Sequence, residues 1–266
     1  MTRSIGNPEN HQTAPRLFVG AALHEGAGIE ASAEQAHYLG TVLRRAAGDV
    51  VRLFNGADGE WAARQTFGLR DRSLRKVSQA NSLIVEHQLR PQQPEAGPWL
   101  VFALLKRDAT DLVVRQAVEL GASRLLPAIT GRTNSVRVNE ERLRAIAIEA
   151  AEQSERLTIP VIDAPTRLEA ILAAWPPNRR LFAALERSWA GTEAAGTQAA
   201  GPGPGQAALL VGPEGGFTPV ERELFSGLEF VTPISLGPFV LRAETAAAAG
   251  QALLLGMGWA EYFPST

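Results

Sequence analysis

Cysteine is absent from the 266 residues. That excludes disulfides, thiolate zinc sites, iron–sulfur clusters and a cysteine nucleophile, and it favours a reducing compartment. Histidine is scarce: His11, His24, His37 and His87 are the four, all in the first third. Chemistry beyond residue 87 must therefore proceed without imidazole or thiol, and a Ser-His-Asp triad confined to the second half is excluded. Lysine occurs only at Lys76 and Lys106, so the other 24 of the 26 basic residues are arginine. No apolar run is long enough to span a bilayer, which takes about 20 residues. The longest uncharged apolar stretch, 245–260, is interrupted by glycines. The opening MTRSIGNPENHQTAP lacks an apolar core, so no signal peptide is expected and the cytoplasm is the expected compartment.

The rest of the composition, 45% hydrophobic and 20% charged, is that of a soluble globular chain. Its length predicts one large domain or two smaller ones, with core enough to fold without a metal or crosslink. Arginine forks onto phosphate and stacks on bases. A GC-rich genome enriches arginine in the same way, so position carries more than number. Residues 41–76 hold eight basic residues (Arg44, Arg45, Arg52, Arg64, Arg70, Arg72, Arg75, Lys76) against four acidic ones (Asp49, Asp58, Glu60, Asp71), a local +4. Residues 96–266 hold 15 basic and 18 acidic residues, a net −3. A basic front end on a mildly acidic body points to a module that faces a polyanion.

Patterning divides the chain at a proline-rich linker, PQQPEAGP (91–98). Residues 1–90 read as a small β-barrel-like domain. RLFVG (16–20), VVRLFN (50–55), EWAARQTF (60–67) and SLIVEHQL (82–89) are strands, and a helical pattern covers 34–45. Asn55-Gly56 and Asp58-Gly59 mark a hairpin between the second and third strands. Residues 99–266 alternate buried strands with helices, the signature of a mainly parallel α/β domain. The strands are 99–105, 124–129, 159–162, 181–185, 208–212 and 230–236; helices are expected at 108–121, capped by Asp108 or Thr110, and at 139–154. The Gly/Ala/Pro-rich segment 188–206 reads as a flexible surface insertion.

Two glycine loops follow buried strands. In GPEGGFT (212–218), Thr218, Pro219 and Glu221 have the spacing of a capping box at a helix start. No Lys-Ser/Thr follows the glycines, and Glu214 makes a poor neighbour for phosphate, so this is not a P-loop. In SLGPFVLRAETA (235–246), Arg242 and Glu244 are the only charges between Glu229 and Glu261. They form either an ion pair at a helix start or a site arginine held by a site carboxylate. The helix 244–258 is rich in small residues, which let helices approach closely; it either packs on its own sheet or forms a dimer face.

LLVGPEGGFTPVERE (209–223) and ISLGPFVLRAETAAAAGQAL (234–253) resemble the paired C-terminal motifs of the bacterial 16S ribosomal-RNA uridine-N3 methyltransferases, the RsmE family of the SPOUT superfamily. RQAVELGASRLLPAITGRTN (115–134) and ERLRAIAIEAAEQSER (141–156) are also similar to it, as are RLFVG and VLRRAAGDVVRLFNGADGEW (42–61) in the N-terminal part. The resemblance implies a PUA-like RNA-binding barrel over 1–90 and a methyltransferase domain over 99–266, with a trefoil knot that holds S-adenosylmethionine in a bent shape. It implies a homodimer, no metal, and 16S rRNA or the assembled small subunit as partner. Carried over by motif, the cofactor would sit on Leu185, Val211, Gly212, Gly216, Leu236, Gly237, Leu241, Thr245 and Ala246. Arg242, Glu244 and Glu214 are the candidate catalytic groups; Arg44, Arg45, Arg70, Arg72, Arg132 and Arg156 are the candidate RNA contacts.

The chain departs from the family pattern at three positions. Phe239 stands for arginine, Ala243 for threonine and Glu155 for glycine. Two other readings of the same motifs stay open: an rRNA-binding assembly factor without methylation, and methylation of a different RNA.

Overall fold

The computed structural model describes residues 13–66, 82–133, 138–185, 193–194 and 203–256. They form two units. One runs up to Pro94 and adds Glu155–Thr158; the other holds Glu95–Ser154 and the chain from Ile159 onward.

The first unit is a five-stranded sheet of β1 (Arg16–Phe18), β2 (Gly28–Glu30), β3 (Val50–Phe54), β4 (Glu60–Gln65) and β5 (Ser82–Arg90), in the order β1-β3-β4-β5-β2. β1 and β3 run parallel and the other pairs antiparallel. Leu17, Ile29, Val51, Leu53, Ala63, Leu83 and Val85 supply one core from all five strands, so the sheet curls around it. The expected hairpin joins β3 to β4. Asn55 Oδ1 accepts from the amides of Ala57 and Asp58, the Asx geometry that lets a short side chain close its own turn. The helical pattern over 34–45 becomes a short helix, α1 (Ala33–His37), capped by Ser32, and then one π-helical turn at Tyr38–Val42. Arg44 follows with φ 53°.

A buried charge cluster closes this unit. Arg16 Nε donates to Glu60 Oε1 at 2.5 Å, and Arg90 Nε donates to Glu60 Oε2 at 2.8 Å. The Arg16 guanidinium lies 3.7 Å over the Phe54 ring centroid and also donates to the carbonyl of Arg156. Arg52 reaches Glu155 Oε1 at 2.9 Å. Glu155 itself has φ 58°, the left-handed region that glycine enters freely and other residues enter at a cost. The position where the family pattern has glycine is thus one whose backbone favours it.

In the second unit every paired strand is parallel: β6 (Trp99–Ala103), β7 (Arg124–Ile129), β8 (Val161–Ile162), β9 (Thr166–Arg167), β10 (Arg180–Ala184), β11 (Glu193–Ala194), β12 (Ala207–Val211) and β13 (Val231–Ser235). The order is β11-β13-β10-β12-β6-β7-β8, with β9 beside β7. Among the described residues five α-helices cover it: α2 (Arg107–Glu119), α3 (Glu140–Gln153), α4 (Leu168–Ala173), α5 (Pro219–Ser226) and α6 (Ala243–Gly256). β12 is buried along its whole length, as its continuous apolar run requires. Its Ala208 and Leu210 enter a cluster with Leu168, Ile171 and Leu172 of α4 and Phe225 of α5. Leu209 faces α6, where a Cβ on Gly250 would come within 2.6 Å of it. Helices therefore cover both faces of the sheet, and α6 packs on it through its Gly250 side.

Three local expectations are corrected. The residue before α2 is Lys106, whose side chain makes no capping bond; Thr110 lies within the helix and its hydroxyl bonds the backbone of Leu105. Within the glycine-rich stretch 188–206, Glu193–Ala194 add a parallel edge strand to β13 where only loop was expected. Arg156, expected to face RNA, is buried in the first unit near Thr158 Oγ1. Burial withdraws its guanidinium from a phosphate arriving through solvent.

Candidate active site

The C-terminal ends of β13, β10 and β12, three neighbours in the sheet, open into one cavity of about 700 Å³ including its mouth. This is where parallel sheets place ligands, because the connections diverge there. β10 supplies Ala184 and Leu185. β12 supplies Val211, and the loop after it Gly212, Pro213, Glu214, Gly216 and Phe217. From β13 and its loop come Ser235, Leu236, Gly237, Phe239, Val240 and Leu241; Ala243 and Ala246 of α6 and Arg222 of α5 complete the wall.

Eight of the nine candidate cofactor residues line this cavity; Thr245 is exposed and does not. Gly237 has φ 124°, a conformation side chains rarely adopt, and it turns the chain back along the wall. Gly212 matters for space: a Cβ there would lie 2.9 Å from the Phe217 ring. A side chain at 212 would therefore displace Phe217 before it filled any ligand space.

Glu214 lines the cavity and is exposed. Arg242 is exposed and Glu244 half-buried; neither lines the wall, and among the described residues no ion pair joins them. Neither reading of that pair, structural or functional, is realised as a direct contact.

The capping box forms as its spacing predicts, and it does more than cap. Glu221 is 3% exposed. Its Oε2 accepts from the amide and hydroxyl of Thr218 at 2.7 and 2.9 Å, and its Oε1 accepts from the amide of Gly131 at 2.8 Å. Arg132 Nη1 donates to the Gly215 carbonyl at 2.6 Å. The loop after β7 is thereby fastened to the glycine loop after β12. Arg132 is exposed, as are Arg44 and, in part, Arg45. Arg70 and Arg72 lie outside the described residues. At the departures from the family pattern, Ala243 is buried on the wall, whereas Phe239 and its neighbour Val240 are 76% and 73% exposed.

Arg222 was not among the sequence candidates. It lines the cavity, and its Nε is buried without an acceptor. The sequence offered one signal: it follows the buried capping-box glutamate, on the helix turn nearest the loop. In a run of alternating charges (VERE) it reads as an ordinary solvated residue.

A family described as the RNA methyltransferase domain matches residues 94–255, and one described as the RNA methyltransferase PUA domain matches residues 32–64. The chain belongs to the RNA methyltransferase family. Among curated relatives, ribosomal RNA small subunit methyltransferase E of Rickettsia conorii is 35% identical, covering 91% of this chain and 96% of its own. The protein of the same name from Synechocystis is 30% identical, covering 88% and 74%. Among solved structures, a Legionella pneumophila protein described as a methyltransferase with bound cofactor SAM superposes with a TM-score of 0.77 at 26% identity, covering 92% of this chain and 98% of that one. The family resemblance read from the two glycine motifs, and the α/β and PUA assignments with it, are borne out.

Proposed function

We propose that this methyltransferase transfers a methyl group from S-adenosylmethionine to N3 of a uridine in small-subunit ribosomal RNA. The observation that carries the reading is the cavity itself: both family glycine loops, from strands apart in sequence, build one wall at the C-terminal edge of the sheet. Val211, Leu236 and Leu241 offer apolar faces to a purine, and the orphaned Arg222 Nε awaits an acceptor, so the residues present fit that cofactor. When bound it supplies an electrophilic methyl group on a sulfonium.

The protein's own work is then to position a base and manage one proton. Uracil N3 lies on the pairing edge and carries a proton, so the base must leave its helix and lose that proton to act as a nucleophile. Of the three catalytic candidates, Glu214 is the carboxylate on the cavity wall, and we assign it the proton. Arg242, exposed between the wall residues Leu241 and Ala243, is assigned to the anionic imide or an adjoining phosphate, and half-buried Glu244 to the start of α6. Arg44, Arg45 and Arg132, with Arg70 and Arg72, are assigned to RNA. The excess of basic residues over 41–76 supports the 1–90 segment as the RNA-binding domain, with 91–98 as linker and 99–266 as the catalytic domain. Among the described residues no helix is long and apolar enough to cross a membrane; we place the protein in the cytoplasm with its ribosomal substrate, and as a homodimer.

Mass spectrometry of small-subunit RNA from cells with and without the gene tests this. N3-methyluridine should vanish on deletion. The exposed Phe239, where the family pattern has a cation, favours a second reading in which the protein binds rRNA without methylating it. That reading predicts cofactor binding and an unchanged N3-methyluridine level. Light scattering at micromolar concentration tests the dimer, which a monomer mass would refute.

A further inference from the structure

Among the described residues that line the cavity, Arg222 is the one cation and Glu214 the one anion, and no ion pair joins them. The other carboxylates near Arg222 in sequence are accounted for. Glu221 is occupied by Gly131 and Thr218, and Glu223 is exposed. The Arg222 backbone continues α5 by donating to the Thr218 carbonyl, which leaves the side chain without a function in capping. Its Nε is buried and makes no hydrogen bond. A buried donor of a charged group without an acceptor is unfavourable, and native structures hold few of them. The guanidinium as a whole, half-buried on the wall of a ligand cavity and without a carboxylate partner among the described residues, is matched by an anion that enters the cavity.

The chemistry of the acceptor follows from the donor. A guanidinium presents its N–H groups as a flat fork matched to the two oxygens of a carboxylate. A phosphate of the RNA backbone is the other candidate anion. It arrives on a polymer from solvent, where exposed Arg242 meets it first, whereas half-buried Arg222, on the cavity wall, meets a small ligand seated there. We propose that Arg222 receives the carboxylate at the amino-acid end of the cofactor. This rests on the reading that S-adenosylmethionine is that cofactor, and it makes Arg222 the residue that distinguishes the intact cofactor from analogues lacking the carboxylate.

Calorimetry on the full-length protein tests it with two ligands: S-adenosylmethionine and its decarboxylated form, which keeps the sulfonium and amino group and lacks only the carboxylate. Arg222→Gln should weaken binding of S-adenosylmethionine about 10- to 100-fold, the scale of one charge-assisted hydrogen bond pair, and leave the decarboxylated ligand unaffected. Arg222→Lys, which keeps the charge and loses the fork, should fall between. Thermal melts of both variants, matching the wild type, would show that the fold is intact. Equal losses for the two ligands would place Arg222 on the nucleoside and overturn the proposal. So would unchanged S-adenosylmethionine affinity with a raised KM for the ribosomal subunit, which would make Arg222 a phosphate contact. If the wild type binds neither ligand, the proposed function fails first and the assignment of Arg222 falls with it.

Discussion

Replacing Glu221 with alanine removes one carboxylate and leaves three donors without their acceptor. These are the amides of Gly131 and Thr218 and the Thr218 hydroxyl. All three bonds are part-buried and Glu221 itself is nearly inaccessible, so water replaces them only in part. Losing the reciprocal half of a capping box costs about 1 kcal/mol. Leaving the Gly131 amide unsatisfied adds about 1–3 kcal/mol. The sum, about 2–4 kcal/mol, should appear as a lower urea midpoint at unchanged slope. Hydrogen exchange locates it: the Gly131 and Thr218 amides should exchange faster by more than any amide of β12. Because both loops sit beside the cavity, cofactor affinity should fall as well, through looser loops alone, since Glu221 does not line the cavity. Glu221→Gln keeps one acceptor oxygen and presents an N–H pair to the other donors, so it should recover less than half of the stability. A Glu221→Ala protein within about 1 kcal/mol of wild type, the scale of the cap alone, with unchanged Gly131 exchange, would refute the idea that this carboxylate joins the two loops.

Three further outcomes concern packing and charge elsewhere in the chain. Glu60→Ala removes the carboxylate that buried Arg16 donates to and should cost about 3–5 kcal/mol in denaturant unfolding. Burial pushes the Glu60 carboxyl up, but the Arg90 and Arg16 hydrogen bonds outweigh it and hold it below the usual carboxylate range. Its contribution is therefore present above the unfolded carboxylate pKa and lost as pH falls through the lower folded value, so wild type should destabilise on acidification more steeply than Glu60→Ala. Glu155→Gly should change stability little, since relief at φ 58° offsets an ion pair whose acid side chain is half exposed; Glu155→Val, β-branched at that φ, should lose more than Glu155→Gly in the same urea titration. Gly250→Ala forces a methyl against Leu209 and should cost about 1–3 kcal/mol, with part recovered by adding Leu209→Val.

The elements whose cause is local were legible in the sequence. The Asn55-Gly56 and Asp58-Gly59 pairs marked the β3–β4 hairpin, and the Thr218-Pro219-Glu221 spacing marked the start of α5. Continuous apolar runs marked β6, β7 and β12 as strands buried on both faces. What the sequence did not reveal has non-local causes. The two-residue strands β9 and β11 exist because a neighbour's edge pairs with them, not through any pattern of their own. That β12 and β13 flank β10, which brings the two glycine loops to one cavity, is a fact of pairing; the family resemblance anticipated the shared site and not the strand order. Arg156 and Arg222 escape sequence reasoning for one reason: an arginine in a charged run looks solvated until its surroundings are known, and these two have a buried guanidinium and a buried Nε.

Surroundings also alter the weight of the +4 over residues 41–76. Arg52 is engaged by Glu155 and lies 3.9 Å from Glu60, and Arg64 is held in a two-pronged contact by Glu86. Neither cation is free for a phosphate without giving up a carboxylate. Arg44 and Arg45 have no carboxylate partner among the described residues, and they follow a π-helical turn that leaves Tyr38, Val42 and Leu43 exposed beside them. Charge reaching RNA from this part of the unit should therefore come from Arg44 and Arg45 and not from Arg64. RNA binding by the full chain, measured across a salt series, distinguishes the two. Arg44→Ala with Arg45→Ala should weaken binding and flatten the slope of log K against log salt by up to about 1.4, at about 0.7 for each single-strand phosphate no longer neutralised. Arg64→Ala should leave the slope unchanged, because it frees Glu86 without baring a phosphate. If Arg64→Ala flattens the slope as much as the double variant, the ion pairs seen within this unit open on the RNA, and the bare excess of positive charge is the better guide to where RNA binds.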